Sequence, residues 1–126
     1  MKYLLDTVAL IRHFTGKGKI GHKAAIIIDN AENSLVISVI SLMEVMYLSE
    51  KHRIEINLTD TLDKIESSSR YIITDLNPDI LKVAETVDFY ELHDRLILAA
   101  AKWLGIKIIS SDSKFNDIEG IEVVWD

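Results

Sequence analysis

Leu92-His93-Asp94-Arg95-Leu96-Ile97-Leu98-Ala99-Ala100-Ala101-Lys102-Trp103-Leu104-Gly105-Ile106-Lys107-Ile108-Ile109-Ser110-Ser111-Asp112 reads as a helix, a glycine stop and a buried strand that ends at an acid. Leu92, Leu96, Ile97, Ala100, Trp103 and Leu104 recur at the spacing of one helical face. Gly105 supplies the residue that ends such a helix, and Lys107 to Ser110 then turns to a strand-like run. Asp94 opens the helix and Asp112 comes after the strand. A helix feeding a buried strand in this way is half of a βα repeat, and repeats of that kind stack into a parallel sheet.

The same alternation extends through the rest of the chain. Strands are expected at Tyr3 to Leu5, Leu35 to Val39, Tyr71 to Thr74, and Glu122 to Val124. Helices are expected at Thr7 to Phe14, Lys23 to Ala31, Ser41 to His52, Leu58 to Ser68 and, started by Pro78, Asp79 to Val87. In the Ser41 helix, Leu42, Val45, Met46 and Ser49 share a face, while Gly16, Gly18 and Gly21 predict a flexible connection after the first helix. A short turn is expected at Ser113 to Asn116. No repeat or linker divides the chain, so residues 1–126 read as a single α/β domain.

Composition narrows the function by exclusion. Without cysteine there are no disulfides, thiolate zinc sites or cysteine nucleophiles. No apolar run approaches the roughly 20 residues of a bilayer span and no secretory pattern opens the chain, so the expected location is cytoplasmic with no membrane partner. A net charge of −6 argues against phosphate binding by the chain as a whole. Yet no acid occurs between Val8 and Ile28, where Arg12, Lys17, Lys19 and Lys23 are basic and His13 and His22 are able to become so. That segment is a local positive arm or an ordinary solvated face.

Asp6, Glu44, Asp94 and Asp112 each lie after a strand-like run or at a helix opening, which in an α/β sheet gathers them at the carboxyl edge where ligands bind. Each has a structural explanation of its own. Asp6 and Asp112 suit helix caps, Ser41-Leu42-Met43-Glu44 matches a capping box, and Asp94 suits a helix dipole. Capping leaves their convergence unexplained, because gathered carboxylates repel and raise one another's pKa values. No lysine or arginine stands immediately beside Asp6, Glu44 or Asp112, and only Arg95 adjoins Asp94. A divalent cation resolves the repulsion, and an all-oxygen donor set selects Mg²⁺ or Mn²⁺ over zinc. Such an ion activates water for in-line displacement at a phosphodiester.

Four fragments now carry a family resemblance: Tyr3-Leu4-Leu5-Asp6-Thr7, Ser38-Val39-Ile40-Ser41-Leu42-Met43-Glu44-Val45, Leu92-His93-Asp94-Arg95-Leu96-Ile97-Leu98-Ala99-Ala100-Ala101, and Ile108-Ile109-Ser110-Ser111-Asp112-Ser113-Lys114-Phe115. The chain resembles a PIN-domain ribonuclease, most closely the VapC-type toxins of toxin–antitoxin modules. The resemblance implies a three-layer α/β/α fold with a parallel five-stranded sheet and an endoribonuclease dependent on Mg²⁺ or Mn²⁺. It assigns Asp6, Glu44, Asp94 and Asp112 to a metal-binding catalytic cluster, with Ser110 and Thr7 in support. Some members carry another acid two residues after the last of these, where this chain has Lys114.

The expected mechanism has Asp6, Asp94 and Asp112 holding the ion directly and Glu44 ligating it through water or orienting the attacking water, with Arg12 and Lys17 or Lys19 clamping flanking RNA phosphates. Phe115 is expected in the core. The resemblance also implies a homodimer and a small antitoxin protein as partner, with Met43, Met46, Tyr47 and Leu48 as candidate interface residues. The alternative is a PIN-like module that binds RNA or protein without cutting. A phosphoacceptor receiver domain requires an acid pair after the first strand, and a HAD-type phosphatase an Asp-x-Asp there; Asp6-Thr7-Val8 supplies neither.

Overall fold

The computed structural model describes residues 1–126. Five parallel strands, β1 (Lys2–Leu5), β2 (Ser34–Ser38), β3 (Tyr71–Thr74), β4 (Lys107–Ile109) and β5 (Val123–Val124), form one sheet in the order β3-β2-β1-β4-β5. Leu5 pairs with Ile37 on one side and Ile109 on the other, so the three strands end level. The next residues along the chain, Asp6, Ser38 and Ser110, therefore share the carboxyl edge.

Helices cover both faces, because each central strand sends alternate residues to opposite sides and both sides are apolar. Leu4, Val36 and Ile108 pack with α5 (Pro78–Ala84) and α6 (Leu92–Leu104). Tyr3, Leu5, Leu35, Ile37 and Ile109 face α1 (Thr7–Thr15), α2 (His22–Asp29) and Ile65 of α4 (Leu58–Glu66). The helix α3 (Val39–Glu50) serves both cores, Ile40 entering the first and Leu42 and Val45 the second. The expected α/β/α layering is thus realised. No helix is long and apolar enough to cross a membrane.

Several local expectations are corrected. α3 begins two residues early, because the Ser38 hydroxyl accepts from the Ile40 amide at 3.1 Å and caps the helix there. Ser41 is consequently inside the helix and fully buried, so the Ser41 to Glu44 capping box does not exist. Met46 is 40% exposed and does not join Leu42 and Val45 in the core. In α6 the residues Leu96 to Ala101 are buried in unbroken succession, whereas Trp103 and Leu92 at the ends are exposed. A helix packed between a sheet and two neighbouring helices needs apolar residues all round, which a single-face reading understates. The glycine segment is shaped rather than loose. Gly16 caps α1 at φ 68°, and a Cβ on buried Gly21 would collide with the Trp125 backbone.

Candidate active site

The chain builds β1, β2 and β3 outward in one direction and then returns to place β4 and β5 on the other side of β1. The crevice between β1 and β4 is therefore the topological switch point, where open α/β sheets bind ligands. Asp6 and Asp112 stand beyond these two strands. The Asp6 amide donates to the Ile109 carbonyl at 3.1 Å, and its Oδ1 accepts from the Ala9 amide at 2.8 Å, capping α1. Burial pushes its pKa above the ordinary carboxylate value and the Asp112 charge adds to that, while the Ser110 hydroxyl, the Ala9 amide and the Arg12 charge act in the opposite direction. Ser110 Oγ also accepts from the Asp112 amide at 3.0 Å. Asp112 Oδ1 in turn caps the 3-10 helix Ser113–Phe115, accepting from the Lys114 amide at 2.9 Å. Both capping explanations hold, and both acids nonetheless share one crevice.

Glu44 is reached from the other side by Thr7. The Thr7 hydroxyl lies 2.6 Å from Glu44 Oε1 and 2.9 Å from Ser41 Oγ. A hydroxyl carries one proton, and the shorter contact to a carboxylate is the stronger bond. Thr7 therefore donates to Glu44 and receives from Ser41. This buried relay fixes the Glu44 side chain and spends the Thr7 hydroxyl on it rather than on a cap.

Asp94 lies in the first turn of α6, where Glu91 accepts from the amides of His93 at 3.1 Å and Asp94 at 2.7 Å. Half-buried, Asp94 is pushed from the ordinary 3.8 to about 6, by burial first and then by the charges of Glu91, Glu44, Asp6 and Asp112. The expected acids thus converge in one electrostatic field, joined by a fifth, Glu91. Arg95 gives no relief, since its Nε donates to the Ala84 carbonyl at 2.8 Å, at the end of α5. As the side chains lie, no three histidine, aspartate or glutamate groups are gathered tightly enough to enclose a metal ion. The donor set itself suits a hard divalent cation: oxygen only, strongly acidic, and unrelieved at Asp94.

The expected phosphate contacts are placed less simply. Arg12 donates to the Lys19 carbonyl at 2.8 Å and its guanidinium lies 5.9 Å from the Trp125 ring centre. Lys17 pairs with Glu55 at 2.5 Å, both side chains well exposed. Lys19 is exposed. His13 does not join a positive arm: it is partly buried against the Tyr71 hydroxyl at 2.8 Å, and burial holds its pKa below the ordinary value. Phe115 is 1% exposed and belongs to the core, as expected.

Glu91 and Ser41 were not visible as site residues in the sequence. Glutamate is a poor helix cap by preference, and its spacing of three before Asp94 was the only local signal. Ser41 was obscured by the false capping box.

Solved structures resemble this fold over nearly its whole length. A chain of the DNA-bound VapBC2 complex of Rickettsia felis matches with TM-score 0.75 at 20% identity, covering 100% of each chain. A chain of DNA-bound VapBC from Salmonella typhimurium gives 0.72 at 22%, covering 98% of this chain and 97% of the other. A toxin–antitoxin complex from Klebsiella pneumoniae gives 0.63 at 27%, covering 97% and 95%. No curated protein sequence matches significantly. The PIN domain family model matches residues 3–121, and with the strand order and acid placement above, the chain belongs to the PIN-domain family.

Proposed function

We propose that this PIN domain is a metal-dependent endoribonuclease acting as the toxin of a type II toxin–antitoxin pair. The observation that carries the reading is the gathering of Asp6, Glu44, Asp94 and Asp112 at the switch-point crevice, where burial first and then the neighbouring charges push Asp94 to about 6. An enzyme keeps so costly an arrangement where a ligand of opposite charge repays it. Asp6, Asp94 and Asp112 would hold Mg²⁺ or Mn²⁺, with Glu44 beside them. The bound ion would lower the pKa of water and stabilise charge on a phosphodiester during in-line displacement.

The protein's own groups then divide the remaining work. Thr7 and Ser41 hold Glu44 through Oε1, leaving Oε2 to take a proton from the attacking water as the new P–O bond forms and the ester bond opposite breaks. Ser110 and the Ala9 amide hold Asp6 in place. Lys19, exposed and with a free side chain, would meet a flanking phosphate directly. Arg12 and Lys17 would do so by exchanging partners, which costs little for Lys17 because an exposed ion pair is worth only about 0–1 kcal/mol.

The toxin assignment draws on the structural relatives, whose names describe VapBC and toxin–antitoxin complexes. On this chain, Met43, Met46 and Tyr47 of α3 are exposed beside Glu44 and line a hollow with Leu48 and His93. An antitoxin or a second copy of the chain would cover them, and we assign the chain both a small antitoxin and a homodimeric state. Purified protein should cut single-stranded RNA in Mg²⁺ or Mn²⁺, stop in EDTA, and lose cleavage in a folded Asp6→Asn variant. Undiminished cutting by Asp6→Asn would overturn the site. RNA binding without cutting in either metal would favour the non-cleaving module.

A further inference from the structure

Tyr90 is 77% exposed, yet its ring makes contacts on two sides. It stacks on Phe89 with ring centres 4.9 Å apart and planes 27° apart. Phe89 meets buried Phe115 edge-on at 5.1 Å, and Phe89 packs against the core of the α5 and α6 side. At the hydroxyl end, Lys114 Nζ donates to Tyr90 at 3.1 Å and lies 5.5 Å from the ring centre. Phe89 stacks on one face of Tyr90, Lys114 approaches the ring from its hydroxyl end, and most of the residue remains exposed. The stack is anchored at both ends by residues of the candidate site: Tyr90 directly precedes Glu91, which caps the turn holding Asp94, and the Lys114 amide is held by Asp112.

We propose that Tyr90 and Lys114 form a docking platform for one nucleotide of single-stranded RNA beside the cut, the base stacking on the exposed ring of Tyr90 and the Lys114 ammonium meeting a flanking phosphate. The inference rests on the ribonuclease reading and adds a subsite to it. An aromatic ring is a sequence-tolerant support, since every base offers a π-face, and a ring already fixed by stacking loses little freedom on binding. The lysine answers a specific difficulty. RNA phosphate approaching Asp6, Glu44, Glu91, Asp94 and Asp112 meets a strongly negative field, and Lys114, two residues beyond Asp112 and exposed, sets a positive charge at its edge.

The test uses a labelled single-stranded RNA in Mn²⁺, with single abasic sites placed in turn on either side of the cut. Tyr90→Ala should raise KM by about tenfold with kcat little changed, and its melting temperature should match the wild type, since the ring is exposed. Tyr90→Phe should keep the wild-type KM. One abasic position should cause a comparable KM loss in the wild type and none further in Tyr90→Ala. Lys114→Gln should raise KM and flatten its salt dependence. An unchanged KM in Tyr90→Ala, or abasic losses that simply add to those of Tyr90→Ala, would overturn the platform while leaving the ribonuclease intact. A wild-type protein that cuts no RNA would overturn both.

Discussion

Asp94 is half-buried among the carboxylates of Asp6, Glu44, Glu91 and Asp112, and burial first, then those charges, push its pKa from 3.8 to about 6. Its raised pKa means the folded state binds a proton more tightly than the unfolded chain. Its contribution to stability is therefore complete below about 3.8, declines as pH rises, and is lost above about 6. His13 runs in the opposite sense, because its lowered pKa costs stability as pH falls through 6.5. A difference measurement removes that background. Without divalent metal at neutral pH, Asp94→Asn should be more stable than the wild type by roughly 1 kcal/mol, discounted for the half-exposed position. The gap should close as pH falls from 6 toward 4 in urea or thermal melts. A variant less stable than the wild type at neutral pH would contradict the electrostatic account. The presence and place of Asp94 were legible because its helix is strongly periodic. Glu91 was not, because only folding reveals that its carboxylate turns toward the amides of the same turn.

At the scale of elements, the junction of β2 and α3 decides how Glu44 is presented. Val39 is β-branched and reads as the last residue of the strand, yet Ser38 caps the helix ahead of it and Ile40 turns into the α5 and α6 core. Local preference lost to packing at this point. The shift of two residues converts Ser41 from an expected cap to a buried member of the Thr7–Glu44 relay. Two neighbouring serines should therefore fail in different ways. Ser38→Ala should cost about 1 kcal/mol of stability and leave cleavage per folded molecule close to wild type. Ser41→Ala should lower cleavage by about tenfold or more, as loss of a group that orients an active-site ligand does. Equal effects of the two on cleavage would contradict the part given to Ser41 in holding Glu44. The carboxyl ends of the strands were read to within one residue, Val39 for Ser38 and Ser110 for Ile109, because buried parallel strands are continuous apolar runs and the level pairing of Leu5, Ile37 and Ile109 leaves little freedom to the residues beyond them.

For the whole molecule, the fold gathers negative charge at one crevice by returning the chain across β1. A net charge of −6 has hidden in it a strongly acidic centre at the carboxyl edge and an acid-free segment from Val8 to Ile28 alongside. The partners of Arg12 and Lys17 could not be foreseen, because Trp125 and Glu55 are distant in sequence and meet them only in the folded chain. The central claim is that the acidic crevice is completed by a divalent cation, and it is testable without knowing which RNA is cut. The measurement is thermal melting at neutral pH with and without Mn²⁺, for the wild type and Asp94→Asn. Ligand at about 100 times its Kd stabilises a folded protein by about 2.7 kcal/mol, so the wild type should gain several degrees. Asp94→Asn should start higher and gain little. No gain in the wild type, or an equal gain in Asp94→Asn, would contradict the account.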